Sequence, residues 1–439
     1  MLTRLANIWE KLRTSFWPIP SLMVSASLVA FLALLNLDRD NQYDAFLFIG
    51  FLEPLSPTAA RLILSTIAGS MITVAGTVFS ITIVTLTLAA KQFGPRLLRN
   101  FMQSTVTQIV LGSFLSTFVY SLCLLGSVET EGSESFVPGL SVNIAVVMAL
   151  SSVGILIYFI HHVATSIQVS TVISNVYGDL INQLQTQFPE KSENNVNQTE
   201  CDIETLDAAE NTVKIAAQQC GYLQAIDHGA IESLARRNKS RFTLEQRSGI
   251  YITHGMPLVS HSHEVTLAEA DQEEVRKAFI LGIERTPEQD VEYAIHQLVE
   301  IAVRALSPGV NDPFTALECI DYLGSVLCQI AERSFPASHA FDEDENLIVV
   351  YKVVTFEGIV GAAFDQIRQH SRGNVAVVIR LLEIIHNAIQ HDVEPEHRDV
   401  LLNHAKMIHR AGMENMSEEL DRKDVNERFQ AITDYLDSC

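Results

Sequence analysis

A row of hydroxyls lies on a stretch that carries no charge. Between Leu62 and Ala90 there is no Asp, Glu, Lys or Arg. Thr66, Ser70, Thr73, Thr77, Ser80 and Thr87 nevertheless recur at steps of mostly three and four, with Val84 in the one gap and Lys91 closing the run. On a helix that spacing gathers the hydroxyls along one face. Lipid has no use for such a face, so the row must meet another helix, a second copy of itself, or water. Turned to water, rings of hydroxyls suit partly hydrated inorganic ions in a conduction path, with Lys91 near its mouth. Turned to a helix, they permit close packing, and Ser65-xxx-Gly69 and Gly76-xxx-Ser80 have the spacing of small residues at such contacts. Both readings are open at this level.

Other groups with chemistry to offer lie further along. Arg285, Asp290, Asn311 and Asp312 fall at the ends of two helical patterns, and together they would make a polar pocket for an ion or a phosphate. Taken apart, Asp312 is a cap and Arg285 an ion-pair partner. His254, His261, His263 and Glu264 are close in sequence, and His261 and His263 would share one side of a strand, but this is half a ligand set and no metal is expected. His161-His162 could respond to pH near neutrality or simply sit at an interface. There is no P-loop, no GxSxG, no HExxH and no dinucleotide fingerprint, so no catalytic residue, no cofactor and no familiar enzyme class is expected.

The hydroxyl row needs a helix that can live in lipid. At about 1.5 Å per residue the charge-free stretch is long enough for a hydrocarbon core of about 30 Å. Three further apolar runs accompany it, giving expected spans at about 19–37, 62–90, 105–128 and 136–160. The first run is followed by Asp38-Arg39-Asp40 rather than a small-residue cleavage site, so it reads as a retained span. Arg4, Lys11 and Arg13 precede it, and Lys91, Arg96 and Arg99 follow the second span. The loops with Asp38, Asp40, Asp44 and Glu53, and with Glu129, Glu131 and Glu134, are acidic. By the preference of basic loops for the cytoplasm, both termini lie inside. Gly94-Pro95 stops the second helix, and the piece to Phe101 reads as an interfacial anchor or an inner-mouth ring.

Charge divides the chain. Residues 1–160 hold eight of the 30 basic and eight of the 52 acidic residues, so the rest carries the whole net charge of −22, along with all 14 histidines. An acidic domain repels nucleic acid and anionic lipid, so no nucleic-acid partner is expected. The six cysteines show no metal-binding spacing and read as reduced thiols. Residues 161–200 read as a continuation of the fourth helix followed by a polar linker over 189–200. Residues 201–285 read as a small mixed β/α part with strands near 212–217, 221–226, 241–246 and 251–259. From Thr286 to residue 439 the pattern is helical: Thr286-Pro287-Glu288-Gln289 resembles a capping box, Asp312-Pro313 opens the next helix, and others are expected at 356–370, 375–391, 395–411 and 418–436.

Five stretches are specific enough to compare: Arg285-Thr286-Pro287-Glu288-Gln289-Asp290, Ala305 through Ala316, Gly221 through Asp227, Thr73 through Ser80, and Gln92 through Arg96. Through them the chain resembles a bacterial family of predicted integral membrane proteins catalogued as domain of unknown function 2254. The resemblance covers nearly the whole chain. It implies a bacterial cell-membrane location and a four-span helical body with a cytosolic α+β domain, and it supplies no activity. From the residues, the expectation is a homo-oligomeric channel or channel-like transporter in the inner membrane. The other reading is a non-conducting sensor or scaffold whose soluble part binds a partner or ligand.

Overall fold

A computed structural model of the protein describes residues 15–39, 56–94, 97, 104–129, 136–190, 212–262, 266–371, 373–391 and 394–438. They form two compact units, Met1–Thr171 and Val172–Cys439. The expected features at Arg96, Arg99, Phe101, His263 and Glu264, in the acidic loop around Asp40–Glu53, and in the linker from residue 191 to 200 lie outside the described residues.

Among the described residues, the first unit contains four helices: α1 (Pro18–Arg39), α2 (Pro57–Phe93), α3 (Thr105–Ser127) and α4 (Gly139–Ser166). Each is long and apolar enough to cross a membrane, and so is a fifth, α9 (Pro313–Ala331), in the second unit. Helix α3 is the hub, packed against α1, α2 and α4. Its buried positions include Val110, Phe114, Tyr120 and Leu124. Gly112 lets α1 cross closely, because a Cβ there would sit 2.6 Å from the Met23 sulfur and 3.2 Å from the Pro20 Cα. Helix α2 begins at Pro57 under a Ser56 cap and ends at Gly94, whose φ of 107° places it where side chains are disfavoured. The stop at Gly94 therefore lies where the sequence puts it.

The N-terminus of α4 has no cap of its own, because Pro138 occupies that position. Asp38, at the end of α1, supplies it. Its carboxylate accepts the backbone N–H groups of Leu140 and Ser141, each at 3.1 Å, and the Ser141 hydroxyl. An anion at a helix N-terminus satisfies orphan donors and meets the positive end of the dipole. Asp38→Ala is expected to cost about 2 kcal/mol, since hydrogen bonds to a charged acceptor are the stronger kind. A thermal midpoint of the purified protein unchanged by that substitution would contradict the assignment.

The fourth helix does not continue unbroken. It stops at Ser166, and α5 (Val169–Gln187) starts after a two-residue break. Thr165 and Ser166 turn their hydroxyls onto the His161 and His162 carbonyls, a local competition that weakens a helix at such a point.

The second unit continues with β1 (Thr212–Ala216), β2 (Gly221–Ile226), α6 (His228–Asn238), β3 (Phe242–Leu244), β4 (Tyr251–Ile252), β5 (Pro257–Ser262), α7 (Glu269–Ala278) and β6 (Phe279–Gly282). Then come α8 (Val291–Ala305), α9, β7 (His339–Phe341), β8 (Leu347–Val350), α10 (Phe356–His370), α11 (Val375–Gln390), α12 (Pro395–Asn415) and α13 (Glu419–Ser438). One sheet runs β1-β5-β3-β8-β7 and a second β4-β2-β6. All pairings are antiparallel except β3 with β8. The purely helical pattern expected after Thr286 is thus corrected: two strands from that region complete the larger sheet. Phe242, Ile231, Leu234, Val259, Val275 and Val349 lie in the core beneath the sheets.

A second correction concerns the start of α8. The helix begins at Val291, not at Pro287, and its cap is Asp290, which accepts the Tyr293 N–H at 3.2 Å. The capping-box side chains are engaged elsewhere: Thr286 donates to the Gln224 carbonyl, and the Gln289 amide takes both backbone groups of Ile226.

Candidate functional site

The second unit holds a cleft of about 370 Å³, near the small end of the range for ligand sites. It forms where the end of β2, the start of α6, the turn after β3, the approach to α8 and the extended chain after β8 converge. Its floor is built by backbone mimicry. The Gln289 side chain accepts the Ile226 N–H at 2.8 Å and donates to the Ile226 carbonyl at 3.1 Å, replacing a strand neighbour. The Ser248 hydroxyl in turn donates to the Gln289 carbonyl.

Two ion pairs fix the wall behind it. Arg285 directs Nε and Nη2 at one carboxylate oxygen of Asp290, at 2.8 and 2.7 Å, while the other oxygen caps α8. Only 1% of the Asp290 side chain is exposed. Burial pushes its pKa up, and the Arg285 charge opposes that rise. The remaining Arg285 nitrogen lies 3.2 Å from His296 Nδ1. Arginine can only donate, so Nδ1 accepts and the ring's proton sits on Nε2. Gly249 packs against the pair at φ 88°, and a Cβ there would fall 2.3 Å from the Asp290 carboxylate. Beside it, Arg247 pairs with Glu292 at 2.8 Å.

The mouth carries different chemistry. Tyr351 donates to Glu232 at 2.6 Å, and its phenol pKa is driven up by burial and by that carboxylate. His228 stands edge-on to the Tyr351 ring at 4.9 Å. Lys352 reaches the Glu245 carbonyl at 3.2 Å. Ile226, Leu244, Val353 and Val354 supply apolar wall. Ser248 on the wall gives its hydroxyl to the Gln289 carbonyl and, among the described residues, has no base oriented on it.

The four residues expected to share a polar pocket are split. Arg285 and Asp290 meet at the start of α8. Asn311 and Asp312 follow its end, a helix of 15 residues away, which is about 22 Å at the usual rise. Asp312 caps α9 by accepting the Thr315 N–H at 3.2 Å, and Asn311 turns the chain at φ 50°. Of the sequence candidates among the described residues, Asp290 alone lines the cleft. His228, Arg247, Tyr351 and Lys352 were not foreseen, because they come from separate segments with no shared spacing. His261 is buried in β5.

The hydroxyl row occupies the face of α2 that the chain leaves uncovered. Thr66, Ser70, Thr73, Thr77, Ser80, Thr87 and Lys91 are all exposed, whereas Ala60, Leu64, Ala68, Met71, Ala75 and Val78 are buried on the opposite side. Thr66, Thr73, Thr77 and Thr87 donate to carbonyls of the preceding turn, so their protons are satisfied. A Cβ on Gly69 or Gly76 would meet nothing within 4 Å.

Several long apolar helices and a second unit with strands define a multi-pass membrane protein. The chain belongs to the family described as predicted membrane protein DUF2254, whose model matches residues 13–387. It is similar to the uncharacterized protein Rv1290c of Mycobacterium tuberculosis and to the uncharacterized protein Mb1321c of Mycobacterium bovis. Each is 30% identical over 430 residues, covering 96% of this chain and 81% of the relative. No solved structure matches it. Two of the stretches that carry the family resemblance, Gly221–Asp227 and Arg285–Asp290, adjoin each other at the floor of the cleft.

Proposed function

We propose that the protein is the subunit of a homo-oligomeric channel or channel-like transporter of a bacterial inner membrane, with a path for inorganic ions lined by α2. The observation that carries this reading is the exposed hydroxyl face of α2, from Thr66 to Lys91, opposite a face packed with Ala and Leu. Several chains around an axis would turn these faces to a common wet space. Helices α1 to α4 are the four spans. Helix α9, although apolar, is a core helix of the soluble unit: it packs against α8 and α11, and Asp321 on it pairs with Arg380 at 3.3 Å. Basic residues beside the spans support a topology with both termini and the acidic unit in the cytoplasm, where that unit would regulate the path. The second reading, a non-conducting sensor or scaffold, is favoured by the cleft.

Thr77→Cys tests the choice. With the native thiols blocked beforehand in a wild-type control, a water-soluble cationic thiol reagent is expected to label Cys at position 77 within minutes and to change currents in planar bilayers. A thiol that stays unlabelled in the folded oligomer, together with electrical silence in symmetric salt, would refute conduction along α2.

A further inference from the structure

We infer that the cleft of the second unit is a binding site for a mononucleotide, with its phosphate held by Arg247 and Lys352 and its base lying along the apolar wall. This goes beyond the reading of α2 and stands whether or not the oligomer conducts.

The charge distribution comes first. The chain carries a net charge of −22, yet two cations, Arg247 and Lys352, meet at this cleft beside Glu232 and the Arg285-paired Asp290, and both cations have donors to spare. Arg247 spends one contact on Glu292 and Lys352 one on the Glu245 carbonyl. A guanidinium offers five N–H donors and an ammonium three, so most remain for a ligand. The Glu245 carbonyl that anchors Lys352 is two residues from Arg247 in the chain, and both cations line the cleft. Two cations with free donors match a dianionic phosphate better than a single carboxylate, since Arg forks onto phosphate oxygens and Lys acts as a point charge.

The rest of the cleft suits a flat ring. Leu244 and Val353 give apolar wall, and His228 edge-on to Tyr351 gives an aromatic border. Glu232, which already accepts from Tyr351 through one oxygen, has acceptor capacity for an exocyclic amino group. The volume of about 370 Å³ fits one nucleotide and not a dinucleotide. The floor is preorganised by the Gln289 clamp and the buried Arg285–Asp290 pair, so little ordering is needed on binding.

The test is equilibrium dialysis of the full chain in neutral phosphatidylcholine nanodiscs against radiolabelled adenosine 5′-monophosphate. Saturable binding of one nucleotide per chain is expected, with Kd below about 1 mM. Lys352→Gln, an exposed position, and Val353→Trp, which fills the cleft, should each weaken it by at least about tenfold. Unlabelled adenosine should compete at least about tenfold less well than the nucleotide. Absence of saturable binding at millimolar nucleotide, affinity unchanged in both variants, or adenosine competing as well as the nucleotide would each overturn the assignment.

Discussion

Asp290→Ala is expected to destabilise the second unit by about 3–5 kcal/mol, the range for removing one partner of a buried ion pair. The substitution leaves the Arg285 guanidinium, 16% exposed, without its counter-charge and strips α8 of its cap. Asp290→Asn keeps the cap acceptor and loses the charge, so it should fall between the two. Replacing both partners with apolar residues, Arg285→Met with Asp290→Leu, should recover a large part of the loss, because two uncharged side chains leave no charge uncompensated. Denaturant unfolding of the purified chain, followed by near-ultraviolet circular dichroism, measures the series. If Asp290→Ala unfolds at the wild-type midpoint, the pair does not hold the floor of the cleft, and the preorganisation argued for it fails.

Thr77→Lys carries the second large effect, with opposite consequences in the two settings of α2. A lysine at the middle of a span facing lipid or a dry seam costs roughly 3 kcal/mol or more, and oligomer yield should then collapse. Facing water, the ammonium keeps its hydration, and the oligomer forms at normal yield. The added ring of positive charge should reduce cation current severalfold and favour anions. Yield by size-exclusion chromatography and reversal potential in asymmetric salt read the two outcomes separately. Loss of the oligomer would remove α2 as a water-lined path.

The sequence was most legible where one period dominates. Strand β2 and helix α10 lie where expected, over Gly221–Ile226 and Phe356–His370, since apolar spacing and adjacent Asp or Thr mark their limits. It was least legible where distant segments pair. Strands β7 and β8 hold three and four residues, too few for a periodic signal, and β8 finds its partner β3 about a hundred positions earlier. The capping box at Thr286 failed for the same reason: its local pattern is sound, but β2 supplies competing partners for Thr286 and Gln289. The cleft shares this property. Arg247 and Lys352 are brought to one mouth by the β3–β8 pairing, which no local pattern announces. The hydroxyl face of α2 was plain, because it depends on a single helix and its period.

The clamp of Asp38 on the fourth helix also sets an order of events during synthesis. The carboxylate belongs to α1, and the amides it serves lie 102 and 103 residues later. At cellular elongation rates of roughly 5–20 residues per second, Asp38 waits about 5–20 s for its partners. Until then this latch stays open, and a ribosome stalled before Leu140 would leave α1, α2 and α3 without it.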